Sequence, residues 1–187
     1  MMNFRKIHRK IAPILFIPLL LSALTGISYR IGRSWFGLPG EFGSFMMFFH
    51  EGRFLGKPLV PVYVLLVGLG LLGLIVSGFT LIKPRKQSKS VKLNERRFHQ
   101  IIAPIALLPL AVSAVTGVGY RLGKAWFGLS SDQVGFLLRI HQGSYLGPAL
   151  RPIYVLLVGL SLIVLLVTGL QMTGIFHKRR PPKTENN

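Results

Sequence analysis

The chain has 187 residues, half of them apolar and only 15% charged, which is too hydrophobic for an ordinary soluble domain. Its formal net charge of +18 would suit nucleic-acid binding, but the cations cluster beside apolar stretches, where anionic lipid accounts for them, so we expect no nucleic-acid partner. The absence of cysteine excludes disulfides, thiolate metal ligands and covalently attached c-type haem.

Four apolar windows predict four transmembrane helices. A hydrocarbon core of about 30 Å needs roughly 20 helical residues, and the windows 11–29, 59–82, 102–120 and 152–175 meet that demand. Basic residues precede the first window, but no small-residue cleavage site follows it, so we expect this span to be retained. The apolar segments "FMMFFHEG" and "FLLRIHQG" predict short interfacial helices in the outer connections, ended by Gly52 and Gly143.

The chain contains an internal duplication. Shifting the sequence by 91 residues aligns 4–82 with 95–173 without a gap, and "TGISYRIGRSWFGL" then matches "TGVGYRLGKAWFGL". Each repeat holds two spans, so both repeats enter the membrane from the same side and form tandem parallel repeats about a pseudo-two-fold axis. We divide the chain into a first two-helix repeat (1–82), a basic cytoplasmic linker (83–94), a second two-helix repeat (95–175) and a basic tail (176–187).

The distribution of lysine and arginine predicts the orientation. These residues are concentrated before the first span, in the segment 83–97 and after the last span. Because positively charged connections stay in the cytoplasm, we predict that both termini and the linker are cytoplasmic. The fold class is therefore an all-α membrane protein with four transmembrane helices.

Four of the five histidines form two matched pairs under the repeat, His8 with His99 and His50 with His141. The first pair lies at the cytoplasmic mouths of spans one and three, and the second lies in the outer connections, about 30 Å away. Across the pseudo-two-fold axis each histidine meets its equivalent, and two imidazoles on opposite faces are the axial ligands of a b-type haem. We predict one haem b ligated by His8 and His99 and a second ligated by His50 and His141.

Other residues have candidate roles around these haems. Arg30 and Arg121, at the outer ends of their helices, either pair with the propionates of the outer haem or act as snorkelling anchors. Small residues such as Gly26 and Gly117 would let a helix or a flat macrocycle approach closely, or simply pack helices. For the histidines the alternative to ligation is a headgroup contact. His177 has no repeat partner and is either a solvated flank residue or a substitute ligand.

Several chemistries lack their residues. All five acidic residues lie outside the apolar windows, so the carboxylate relay of a proton-coupled carrier is missing. There is no nucleophile with a base, no dinucleotide-binding glycine motif and no phosphate loop. The electron donor and acceptor are therefore separate, unknown partners.

The two repeats resemble the PepSY-associated transmembrane family. The resemblance is carried by "HRKIAPILFIPLLLSALTG" and "FHQIIAPIALLPLAVSAVTG", and by the histidine-containing stretches that begin "HEGRFLGKPL" and "HQGSYLGPAL". It implies a membrane protein of bacteria, in the inner (cytoplasmic) or a thylakoid membrane, with some relatives acting as haem-containing reductases of iron chelates. Many relatives carry a soluble PepSY domain, for which the connections here are too short, so functions such as peptidase regulation are not expected.

Two classes of function follow from the sequence. The first is a transmembrane b-type di-haem electron-transfer protein, as a reductase subunit for quinone or ferric iron; as an enzyme it would be a haem-dependent oxidoreductase component. The second is a non-catalytic four-helix scaffold or assembly factor of a larger membrane complex. Small size and the missing catalytic groups suit both classes.

Overall fold

A computed structural model of the protein describes residues 3–81 and 95–173. The predicted linker 83–94 and tail 176–187, with His177, lie outside the described residues. Their cytoplasmic location therefore remains a prediction.

The described residues form helices and no strands, which confirms the all-α prediction. The six α-helices are α1 (Phe4–Ser34), α2 (Gly40–His50), α3 (Val60–Phe79), α4 (Glu95–Ala125), α5 (Ser131–His141) and α6 (Gly147–Met172). Four helical segments are long and apolar enough to cross a membrane, namely Phe4–Ser34, Lys57–Phe79, Glu95–Ala125 and Ser144–Met172. The protein is thus a multi-pass membrane protein in contact with lipid, and each predicted span corresponds to one of these segments.

Helices α1 and α4 extend beyond the windows 11–29 and 102–120 at both ends. The hydropathy signal stops where basic residues begin, but backbone hydrogen bonding continues through them. At the start of α1 the Asn3 side chain accepts a hydrogen bond from the backbone N–H of Lys6 at 3.3 Å, which caps the helix. Long basic side chains near helix ends keep their charge in the interface, so the extra turns need no apolar sequence.

The predicted interfacial helices are α2 and α5, each of 11 residues. A left-handed glycine follows each of them, Gly52 with φ of 71° and Gly143 with φ of 66°. A Cβ atom at either position would also collide with the ring of Tyr63 or Tyr154. Glycine therefore ends each short helix, and lets a tyrosine of the following helix pack against the turn.

The four long helices form a ring in which neighbours come from both repeats. Helix α1 packs on α3 and α6, and α4 packs on the same two helices, while α2 lies on α1 and α5 lies on α4. We call the end that carries α2 and α5 the capped end and the opposite end, where α1 and α4 begin, the uncapped end. The shared core consists of Leu19, Ala23, Ala106, Leu110, Leu162 and Leu166.

Candidate functional site

Two cavities lie inside the bundle, and each contains one of the matched histidine pairs. The capped-end cavity has a volume of about 220 Å³ and its lining includes His50 and His141. The uncapped-end cavity has a volume of about 90 Å³ and its lining includes His8 and His99. The structure therefore brings together both pairs that the repeat predicts.

The His50 and His141 rings are neighbours at the capped end, with centroids 6.2 Å apart and planes inclined by 57°. Each ring is held within its own repeat: Nδ1 of His50 lies 2.9 Å from the Ser22 carbonyl oxygen and Nδ1 of His141 lies 2.8 Å from that of Ser113. A carbonyl oxygen only accepts, so Nδ1 carries the hydrogen in both rings. The lone pair of each imidazole is then on Nε2, the nitrogen that remains for a ligand.

The environment keeps both of these imidazoles uncharged. Burial, followed by the proximity of His141, lowers the pKa of His50 to about 4. Burial also lowers the pKa of His141. At neutral pH both rings are therefore neutral, which is the protonation state that binds a metal.

His8 and His99 have the same tautomer for a different reason. Nδ1 of His8 lies 2.9 Å from the Ser77 hydroxyl and Nδ1 of His99 lies 2.8 Å from the Thr168 hydroxyl. Each hydroxyl already donates its hydrogen to a backbone carbonyl four residues earlier, at 2.6 and 2.7 Å. The hydroxyl oxygen must therefore accept from Nδ1–H, which again leaves the lone pair on Nε2. Ser77 and Thr168 were not singled out from the sequence, although both stand at equivalent positions before a glycine.

Glycines leave room for the capped-end imidazoles. A Cβ atom at Gly26 would lie 3.2 Å from Cε1 of His50, and one at Gly117 would lie 2.9 Å from Nδ1 of His141. The sequence predicted close approach of a helix or a macrocycle at these positions. In the structure the group that approaches is the imidazole itself.

The two histidine levels are closer than the sequence indicated. His50 reaches down to Ser22 on α1 instead of remaining at the end of that helix. Fourteen residues of α1 separate His8 from Ser22, which corresponds to about 21 Å along the axis at 1.5 Å per residue. Because α2 folds back against α1, the separation of about 30 Å between the two histidine pairs that the sequence predicted is too large.

Three leucines form the wall between the cavities. Leu71, Leu110 and Leu162 line both the capped-end and the uncapped-end cavity. Leu71 and Leu162 are repeat equivalents, so the wall follows the internal symmetry. Only one layer of side chains therefore separates the two sites.

Arg30 and Arg121 line the capped-end cavity, and each contacts the opposite repeat. Arg30 is only 8% exposed and donates a hydrogen bond to the Gln142 side chain at 3.1 Å. Arg121 forms an ion pair with Glu51, which also pairs with Arg53 at 2.6 Å. Glu51 and Gln142 are repeat equivalents that sequence reasoning missed, although each directly follows a paired histidine.

The protein supplies two nitrogen donors at each level. No group of three or more His, Cys, Asp or Glu side chains suited to a metal occurs within residues 3–81 and 95–173. Two imidazoles alone do not complete a coordination sphere of four or six ligands. Each pair therefore offers one imidazole nitrogen from each repeat, and a metal held between the two rings would need further ligands from a bound group.

A duplicated pair of transmembrane helices, capped by two short helices, defines the class of this chain as a multi-pass helical membrane protein. The family model of the PepSY-associated TM region matches residues 29–134, more than half of the chain, and this match includes His50 and His99. The chain belongs to this family, as its resemblance predicted. No curated protein and no solved structure matches it.

Proposed function

We propose that the protein is a transmembrane b-type di-haem electron-transfer protein, with one haem in each cavity. The main support is the arrangement of four imidazoles in two cross-repeat pairs, each with its Nδ1 hydrogen engaged and its Nε2 lone pair available. His8 and His99 would hold the haem at the uncapped end, and His50 and His141 would hold the haem at the capped end.

The separation of the capped-end rings supports two axial ligands on a single metal. An imidazole nitrogen bonds a metal at about 2 Å and lies about 1.1 Å from its own ring centroid, so two rings on opposite sides have centroids about 6.2 Å apart. His50 and His141 have centroids 6.2 Å apart. The observed spacing therefore supports a metal shared by the two rings.

A bound haem b supplies a reversible one-electron couple at each level. The chain contributes the environment of that couple. Its Ser, Thr and carbonyl acceptors fix the tautomer and orientation of every imidazole and raise the basicity of the ligand nitrogens. The uncapped-end cavity has a lining that is aliphatic and aromatic apart from the two histidines and small residues.

In this proposal the protein is a reductase component for quinone or ferric iron, and its electron donor and acceptor are separate molecules. In this proposal electrons pass directly between the two levels across the leucine wall, without an intervening cofactor. With both termini in the cytoplasm, as predicted, the capped end faces the other side of the membrane. Electrons would then cross the bilayer along the axis of the bundle.

The first test is spectroscopic. The full-length protein, purified in detergent, is expected to show an oxidised Soret band and alpha bands that sharpen with dithionite, with two haems for each chain. Protein that binds no haem after expression in haem-replete cells and after addition of haemin would refute the proposal. That result would favour the scaffold alternative.

Pairs of variants test whether each haem is shared between repeats. His99→Ala and His141→Ala should each remove about half of the haem. Combining His8→Ala with His99→Ala should remove no more than either change alone, because both ligands hold the same metal. Combining His8→Ala with His141→Ala should remove both haems. Additive loss in the first combination would show that the two histidines belong to different sites.

A further inference from the structure

The capped end is charged differently on its two sides, although the repeats are equivalent. Arg121 has a carboxylate partner, Glu51 of the opposite repeat. The equivalent contact on the other side joins Arg30 to Gln142, a neutral amide. Arg121 therefore shares one carboxylate with Arg53, whereas Arg30 contacts a side chain that carries no charge.

A second cation adds to this imbalance. Arg151, at the start of α6, lies within electrostatic range of Arg30, and both lie within range of Tyr29. The first repeat has Val60 at the position equivalent to Arg151. No carboxylate in the described part of the chain pairs with Arg30 or Arg151.

Both arginines retain a donor with no acceptor. The Nε atoms of Arg30 and Arg151 are buried and have no hydrogen-bond partner among the described residues. A buried charged donor without a hydrogen-bond partner destabilises the protein. An anion that accepts hydrogen bonds from both arginines would reduce that destabilisation. Two guanidinium groups without a counter-ion repel each other, and a carboxylate, which a guanidinium group binds through paired N–H donors, would offset that repulsion.

We infer that Arg30 and Arg151 form a carboxylate-binding subsite at the rim of the capped-end cavity, on the Gln142 side only. Arg30 lines that cavity, so a carboxylate held here belongs to its occupant or to a molecule that enters beside it. Under the proposed function, on which this identification rests, the first source is a propionate of the capped-end haem. The second source is a soluble carboxylate ligand. The sequence offered propionate pairing for Arg30 and Arg121 alike, with snorkelling anchors as the alternative, whereas this inference concerns only the side of Arg30.

The first arm of the test uses haemin and its dimethyl ester, in which both carboxylates are blocked. Binding is followed by Soret absorbance in a His99→Ala background, so that only the capped-end pair remains. We expect haemin to bind about tenfold or more tightly than the ester, because charge-assisted hydrogen bonds are lost in the ester. Arg151→Gln should reduce this preference several-fold.

Gln142→Glu provides a second variant that removes no cation. It gives Arg30 a carboxylate partner, as Glu51 is for Arg121. The carboxylate of residue 142 should compete with that of the ligand, and so should also reduce the preference for haemin over its dimethyl ester. Arg33→Gln is the matched control: Arg33 lies on the same helix, is exposed, and donates to the Leu38 carbonyl. This control should leave the preference unchanged.

The second arm uses citrate as a soluble carboxylate probe, measured by calorimetry on the haem-loaded and the haem-free chain. Citrate binding that weakens about tenfold in Arg151→Gln, with no change in the haemin-to-ester preference, would identify the soluble source and support the subsite. If neither the preference nor citrate binding responds to Arg151→Gln and Gln142→Glu, the subsite is refuted. A chain that binds no haem but shows Arg151-dependent citrate binding would refute the proposed function alone.

Discussion

Replacing Gly117 by alanine tests the packing that positions His141. A Cβ atom at residue 117 would lie 2.9 Å from Nδ1 of His141, whereas ordinary contacts of this kind begin at 3.4 Å. The ring must therefore move by about half an ångström. Because Nδ1 is 2.8 Å from the Ser113 carbonyl oxygen, such a movement can stretch that hydrogen bond beyond its normal range.

The matched control is Gly169→Ala at the uncapped end. A Cβ atom at Gly169 would lie 3.5 Å from Cε1 of His99, which is an ordinary van der Waals contact. Alanine in place of a helical glycine stabilises by about 0.5–1 kcal/mol when nothing clashes. Overpacking a tight site destabilises a protein by about 1–3 kcal/mol. This destabilisation applies to Gly117→Ala and not to Gly169→Ala.

We therefore expect the free energy of unfolding to be lower in Gly117→Ala than in Gly169→Ala by about 1–3 kcal/mol. Thermal unfolding of the haem-free chains in one detergent measures this difference. In haem-loaded protein, Gly117→Ala should also lose haem from the capped-end site, while Gly169→Ala should retain both haems. Equal stability and equal haem content in the two variants would show that the imidazole position does not depend on the glycine.

Three further predictions follow from single contacts. Thr168→Val removes the acceptor for His99 Nδ1–H and should weaken haem retention at the uncapped end about tenfold. Thr168→Ser keeps the hydroxyl acceptor and should retain haem normally; haem dissociation, followed by Soret absorbance, compares the two variants. Glu51→Gln leaves Arg121 with a neutral partner and should lower the unfolding free energy by about 1–3 kcal/mol in thermal denaturation. An unchanged unfolding free energy would contradict a stabilising role for this ion pair. Leu19 is 2% exposed, so Leu19→Ala should lower the unfolding free energy by about 2–5 kcal/mol in the same assay. Leu24 is 47% exposed, so Leu24→Ala should lower it distinctly less.

The fold and the histidine pairing were predictable because both depend on strong, repeated signals. Twenty or more apolar residues cross a membrane only as a helix, since the backbone must satisfy its own hydrogen bonds there. The duplication then placed His8 opposite His99 and His50 opposite His141, because equivalent positions of two parallel repeats face a common axis. The cavities that contain these pairs agree with that reasoning.

The groups that orient the imidazoles were harder to predict. Ser77 and Thr168 contact histidines 69 residues earlier in the chain, and such partners depend on the rotation of each helix about its own axis. Glu51 and Gln142 stand beside their histidines, but their contacts with the opposite repeat depend on how α2 and α5 fold back. Hydropathy fixes neither the rotation of a helix nor the angle of a short connection.

The depth of the capped-end pair was misjudged for the same reason. The sequence places His50 in a connection outside the span, and connections are normally found at the surface. In the structure α2 packs against α1, so the His50 ring contacts the Ser22 carbonyl oxygen, well before the end of α1.

The covalent joining of two similar halves has an evolutionary consequence. In a dimer of identical half-length chains, every substitution would appear twice, and both rims of the capped end would carry the same charge. Joined in one gene, the halves can drift apart, as Glu51 and Gln142 have done. The two sides of the capped end therefore differ in charge, so a charged molecule that approaches this end would be attracted more strongly to one side. A dimer of identical half-length chains could not have this difference.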